Sequence, residues 1–284
     1  MEIVEALKNR CGCKTVNAPQ DLTASGLNQC AVFETDRGKF FVKMHRSSPL
    51  SMYEAEAKGL ELLFETRTLR VPKAYCSGEG TSGAFLIMEY LELFPHSEES
   101  QRKLGKQLAL MHREKRASRY GFEVDNTIGT TPQINSWNDD WVEFFLVNRL
   151  EFQLRLIEEK YEDTDLRRAA EPLLSRFASF FKGIEVYPSL LHGDLWGGNT
   201  ARDENGQPVI FDPAVYYGHH EAEFGILMLF GGFSQSFFEA YDEVLPREEG
   251  FDERHRAYKL YHLLNHYTLF GSSYRAACCD LLRF

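Results

Sequence analysis

No apolar run in these 284 residues approaches membrane-spanning length, and no block of like charges forms a basic arm. With 32 basic residues against 42 acidic ones and a net charge of −10, nucleic acid and anionic membrane surfaces are unsuitable partners. The opening residues 1–10 lack the apolar stretch and small-residue cleavage site of a secretory signal and read as a short amphipathic helix. The expected compartment is the cytosol, with an organelle left open should a transit peptide have been removed. Cysteines are few and scattered (Cys11, Cys13, Cys30, Cys76, Cys278, Cys279), and none has the C-x-x-C spacing of a zinc site. Reduced, partly buried thiols are expected. No Walker-type Gly-Lys-Ser/Thr is present and no glycine-rich fingerprint opens a helix, which by itself excludes no nucleotide enzyme.

What is present is an ordinary globular composition, 43% hydrophobic and 26% charged, long enough for two lobes. Residues 30–35 and 39–44 read as a hairpin about Asp36-Arg37-Gly38, followed by a helix over Pro49–Thr66 and strands over Val71–Cys76 and Ala84–Tyr90, with a loop at Ser77–Gly83. Beyond Leu93 the pattern turns helical, at roughly 98–115, 136–160, 164–182, 219–230, 234–243 and 251–281. The expectation is an α+β protein: a small antiparallel-sheet lobe with one helix (1–91), then a larger helical lobe (92–284).

Residues 190–213, LLHGDLWGGNTARDENGQPVIFDP, carry the chemistry. Asp194 and Asn199 stand five apart, and Asp212 ends a strand that the Asn205-Gly206 turn folds back beside Thr200. Phosphoryl transfer needs one carboxylate to orient an attacking hydroxyl, and an amide oxygen with a second carboxylate to hold magnesium against nucleotide phosphates. Singly, each residue has a plainer reading as a helix cap or turn former. Their order and strand context favour the chemical reading. His192 is expected to brace this loop by hydrogen bonding.

Lys43 ends the apolar strand Phe40-Phe41-Val42, and alone would be a surface lysine. In the following helix, however, Glu56 falls inside the apolar stripe of Met52, Gly59, Leu60 and Leu63, while Glu54 falls on the far side with Glu61 and Glu65. A buried carboxylate requires a cation, and Lys43 is the candidate. Upstream, residues 23–29 occupy the place of a phosphate-covering loop but hold a single glycine. His219, His220, Glu221 and Glu223 invite a metal reading, yet adjacent histidines on a helix face different ways. His112 reads as structural, and Trp137, Trp141, Phe144 and Phe145 as core.

The segments 190–199, Val209-Ile-Phe-Asp-Pro213, Met228-Leu-Phe-Gly-Gly-Phe233, Phe40-Phe-Val-Lys43, Tyr53-Glu-Ala-Glu56 and 66–72 resemble the signatures of the fructosamine kinase (ketosamine 3-kinase) family over nearly the whole chain. Trp196 in His-Gly-Asp-Leu-Trp separates the resemblance from aminoglycoside and choline kinases. The resemblance implies a protein-kinase-like fold, ATP with Mg2+, and phosphorylation of the 3-hydroxyl of a free or protein-bound ketosamine, whose breakdown would free the amine (deglycation). It implies Asp194 as base, Asn199 and Asp212 as metal ligands, and Lys43 with Glu56 as phosphate clamp. Ser25, Gly26, Leu27 and Asn28 would cover the phosphates, and Glu89, Tyr90 and Leu91 would meet adenine. Trp196, Gly231 and Phe233 would lie toward the acceptor. Eukaryotic members often carry a redox-active cysteine in the phosphate loop. Gly26 takes that position here and Cys30 falls four residues later, so the family's thiol switch does not carry over.

Two other readings compete: a kinase for another small hydroxyl compound, and a silent nucleotide-binding module. The intact set of Lys43, Glu56, Asp194, Asn199 and Asp212 weighs against silence. A monomer is the default, with a dimer left open.

Overall fold

Strand alternation in the first hundred residues decides where the site's lysine points. In the computed structural model, which describes every residue except 1, 20, 21, 26, 27, 82 and 284, and residues 22–25 and 28 by backbone alone, the chain divides into two compact units. The first comprises Met1–Ser100 with Thr200–Pro213, the second Gln101–Asn199 with Ala214–Phe284. Residues 92–100, expected from the 91/92 boundary to open the second lobe, lie with the first unit, where His96 bonds Thr200 (3.0 Å) and Phe94 pairs with Arg202 of the returning segment.

In the first unit, α1 (Ile3–Asn9) precedes β1 (Leu22–Ser25), β2 (Asn28–Thr35) and β3 (Gly38–His45). Helix α2 (Leu50–Thr66), β4 (Ala74–Gly80) and β5 (Gly83–Glu89) follow, and the antiparallel sheet has the order β1-β2-β3-β5-β4. Phe40, Val42 and Met44 of β3 join Ala6, Leu7, Phe33 and Phe85 in one core. Lys43 is out of phase with these and emerges on the opposite face, where it meets α2. Tyr53, Glu56, Gly59, Leu60 and Leu63 make up much of the buried stripe of α2. The returning segment forms β9 (Thr200–Arg202) and β10 (Pro208–Ile210), with Gly206 (φ 74°) in the turn and Val209 bridged to Arg70.

Three readings of this region change. The segment 23–29, read as a loop, contains the ends of two paired strands, with Ser25 opposite Asn28. Gly26 and Leu27 lie outside the described residues. The strand placed at 71–76 runs instead over Ala74–Gly80, so most of the loop placed at Ser77–Gly83 is strand. Gly78, Gly80 and Gly83 have the G-x-G-x-x-G spacing, but the first two lie in β4 and the third in β5, where they open no helix: a Cβ at Gly78 would lie 2.6 Å from the Phe85 ring, and Gly83 (φ 99°) abuts the backbone of His45.

The second unit is mainly helical. Helix α3 (Glu98–Arg113) enters it from the first unit. Then come the pair β6 (Asn126–Ile128) and β7 (Thr131–Gln133), α4 (Trp141–Phe145), a wider turn at Leu146–Glu151, α5 (Phe152–Tyr161) and α6 (Thr164–Arg176). β8 (Ser189–Leu191) pairs antiparallel with β11 (Tyr216–Gly218), Leu191 opposite Tyr216. Helices α7 (Phe224–Phe230), α8 (Gln235–Asp242), α9 (Phe251–Phe270) and α10 (Arg275–Leu282) complete it. Helix α9 is buried on several faces by α5, α7 and α10. The helix expected over 136–160 starts only at Trp141, where Asp140 caps it by accepting the Glu143 N–H (2.8 Å). Trp137, expected in the core, is therefore outside that helix and exposed, stacked on Tyr217. The helix expected over 251–281 breaks at Gly271 (φ 88°).

Candidate active site

In the first unit one ammonium is shared by two carboxylates. Lys43 Nζ donates to Glu56 Oε1 (2.8 Å) and Oε2 (3.1 Å), and to Asp212 Oδ1 (2.9 Å). The lysine side chain is 6% exposed and that of Glu56 9%, whereas Asp212 keeps 36%. Burial alone would lower the pKa of Lys43, but Glu56 and Asp212 outweigh it and hold the ammonium charged. Glu56 has only a shared cation, so burial pushes its carboxyl up against the pull of Lys43. Asp212 has φ 58°, a left-handed conformation immediately before Pro213. Such a backbone outlier costs on the order of 1–3 kcal/mol and is held here at a polar site.

In the second unit the loop after β8 is held by its own backbone. Gly193 has φ 81°, and a Cβ there would lie 2.1 Å from the carbonyl oxygen of Ala214, whose N–H bonds the His192 carbonyl (2.8 Å). Only glycine fits between His192 and Asp194. His192 Nδ1 accepts the Asp194 N–H (3.3 Å), and Asn199 Nδ2 donates to Asp194 O (2.8 Å) and Oδ2 (3.2 Å). With its amide nitrogen committed to Asp194, Asn199 has Oδ1 as the atom a cation would take.

Glu223, which sequence reasoning grouped with a doubtful metal cluster, anchors this loop. Its Oε2 accepts the His192 N–H (2.7 Å) and its Oε1 the Gly193 N–H (3.0 Å), both fully buried. Burial would raise its carboxyl; His112, 3.4 Å away, and the His192 N–H outweigh that and hold it below the usual range. His112 is fixed in turn by Tyr241 Oη at 2.7 Å. The signal available in sequence was a buried-looking Glu223 at the start of an apolar helix, without any indication of its partner.

The His219-His220-Glu221 group has ligand atoms within 4.8 Å of one another. Its members are committed elsewhere: Glu221 to Arg254 (2.6 and 2.9 Å), His219 to Tyr258 (2.8 Å), and His220 to Tyr241 (3.1 Å). Burial lowers the pKa of both histidines, that of His220 to about 3.

The other predicted residues separate. Gly197 and Gly232 cross backbone to backbone, where a Cβ at Gly232 would lie 2.7 Å from Gly197 Cα, and Gly197 N–H bonds Gly231 O (3.2 Å). Trp196 thus stands beside Gly231, while Phe233 packs on Phe237 (4.7 Å between centroids). The Glu89 carboxylate is paired with Arg70 (2.5 Å) and its N–H with Lys73 O (2.8 Å), so neither group is available to a purine. Tyr90 lies under the Lys39 ammonium, 5.4 Å from the ring centroid, and Leu91 is half-buried. Cys30, in register with Lys43, is buried, and burial raises its thiol pKa.

The family model described as fructosamine kinase matches residues 1–283. A protein of Arabidopsis thaliana named protein-ribulosamine 3-kinase, chloroplastic, is 47% identical over 90% of this chain and 78% of its own. Mouse ketosamine-3-kinase is 35% identical over 98% and 97%. A Thermobifida fusca crystal structure assigned as a fructosamine-3-kinase superposes with a TM-score of 0.87 at 30% identity, covering 99% and 97%. An aminoglycoside phosphotransferase shares the kinase-like fold alone, with a TM-score of 0.64 at 14% identity over 99% and 97%. The chain belongs to the fructosamine kinase family.

Proposed function

We propose that this protein transfers the terminal phosphoryl group of ATP to the 3-hydroxyl of a ketosamine, the sugar adduct of an amine, and so promotes deglycation. The observation that carries this reading is Lys43: a buried ammonium kept charged between Glu56 and Asp212 is the arrangement that clamps nucleotide phosphates. The first unit would hold the nucleotide, with a purine edge meeting the Glu89 carbonyl and the backbone of Tyr90 and Leu91, and the phosphates meeting Lys43 and the segment from Ser25 to Asn28. The second would hold the acceptor beside Trp196.

Asp194 would orient the acceptor hydroxyl and take its proton, with its carboxylate fixed by the Asn199 amide. The loose transition state demands little early proton abstraction, so positioning outweighs basicity. The Asn199 amide oxygen and the Asp212 carboxylate are each hard oxygen donors suited to Mg2+, which would supply neutralisation of nucleotide phosphate charge. Lys43 would turn part of its bonding from Asp212 to phosphate oxygen as nucleotide binds.

Ribulosamine is the favoured acceptor, because relatives at 46–47% identity are named for it while the mouse relative at 35% has the broader name. The test is a phosphorylation assay with ATP, Mg2+ and the ribulose, erythrulose and fructose adducts of one lysine derivative. Phosphate-ester formation, fastest on the ribulose adduct, is expected. Transfer to a free sugar or amino alcohol but to none of the three would favour a different acceptor class. Nucleotide binding without any turnover would favour the silent module.

A further inference from the structure

Trp196 is the first ring of an aromatic row in the second unit, in which Trp196, Phe230 and Phe270 are exposed and His266 and Tyr274 half-buried. Its centroid lies 6.3 Å from Phe230, which lies 4.6 Å from His266, and His266 lies 5.5 Å from Phe270 and 5.2 Å from Tyr274. Trp196, Phe230 and Phe270 are 40%, 41% and 59% exposed. These three come from three separate segments, so no single element's periodicity accounts for the clustering. An apolar patch of this kind is costly on a protein surface unless something covers it. His266 Nδ1 donates to the His262 carbonyl (2.8 Å), which leaves Nε2 as an acceptor in the neutral ring.

We propose that this row is a subsite for the polypeptide flanking a glycated lysine, engaged while the sugar adduct lies beside Trp196. The proposal rests on the ketosamine kinase reading and deepens it. Continuity is the first argument: Trp196 is two residues past Asp194, so the row begins at the catalytic loop. Extent is the second: five linked rings, Trp196, Phe230, His266, Phe270 and Tyr274, offer more faces than one sugar can stack on. Chemistry is the third. Ring faces receive aliphatic stems and cationic heads, the imidazole acceptor suits a peptide N–H, and the protein's net charge of −10 favours a basic segment. Phe270 and Tyr274, the members of the row furthest removed from Trp196 in the chain of ring contacts, then discriminate between peptide-borne and free acceptors.

The test compares two acceptors carrying the same ribulose adduct: Nα-acetyl-lysine, and a basic peptide of about eight residues with the adduct on a central lysine. Phe270→Ser and Tyr274→Ser are expected to raise KM for the peptide five- to tenfold, leaving KM and kcat for the acetyl-lysine adduct within twofold. Phe64→Ser, at another exposed phenylalanine on α2, is expected to change neither. Equal effects on both acceptors, or none on either, would overturn the subsite while the kinase reading stands. A change in oligomeric state in place of peptide KM would assign the row to a second copy of the chain and also overturn it. Wild-type protein inactive on both acceptors would sink the kinase reading and the subsite with it.

Discussion

Lys43, Glu56 and Asp212 make a unit that no one of them can leave cheaply. In Lys43→Met the Glu56 carboxylate stays buried without its cation, a change that costs about 3–5 kcal/mol. Chemical denaturation is expected to show that loss, and the double variant Lys43→Met/Glu56→Gln to recover a good part of it, because an amide tolerates burial better than an unpaired charge. Activity behaves differently: both variants are expected to lose at least about 100-fold in kcat/KM, since neither retains the phosphate clamp. Recovery of activity together with stability would assign the pair to packing alone. The Lys43–Glu56 contact was legible from helical periodicity, because a glutamate in an apolar stripe implies a nearby cation. The Lys43–Asp212 contact was not, since 169 residues separate the two and no local pattern encodes that distance.

At the scale of elements, the catalytic loop is set by tight backbone crossings and by one distant carboxylate. Gly193→Ala would force a side chain onto φ 81° and onto the Ala214 carbonyl, combining backbone strain with overpacking for a loss of about 3 kcal/mol. Thermal unfolding is expected to shift down accordingly, and activity to vanish with loop geometry. Glu223→Gln keeps the shape but faces an NH2 group to one of two N–H donors. It is expected to cost about 1–3 kcal/mol and to lower kcat 10- to 100-fold with KM little changed. Unchanged kcat would deny Glu223 a positioning role. Helix positions were well legible from periodicity, whereas the short strands β6, β7, β8 and β11, each three residues long, were not. Strands that short carry no detectable alternation, and only their partners in space define them. The same holds for the break at Gly271, where periodicity continues on both sides.

For the whole molecule, the buried histidines set an acid limit. Burial lowers His220 and His262 to about 3 and His255 to about 4. The sign follows directly: below about pH 6.5 the unfolded chain takes up protons on these rings and the folded chain does not. Their contribution is therefore complete above that pH and is lost as pH falls toward 4, with a slope of up to roughly 4 kcal/mol per pH unit for three such groups. Urea denaturation at a series of pH values between 7 and 4.5 is expected to show this steep decline, and His255→Gln to reduce the slope by one proton. A flat profile would mean that the rings titrate normally in the folded state. Glu223, held below the ordinary carboxylate range, adds a later loss as pH falls through its folded pKa.

The most direct measurement is 31P NMR of the protein with ATP, Mg2+ and a ribulosyl-lysine derivative, run on wild type and on Asp194→Asn. A new phosphate monoester bonded at the sugar's third carbon is expected with wild type, and its rate is expected to fall by about 1000-fold or more in the variant. Equal rates in both proteins, or ATP consumed with no ester on the sugar, would contradict the account.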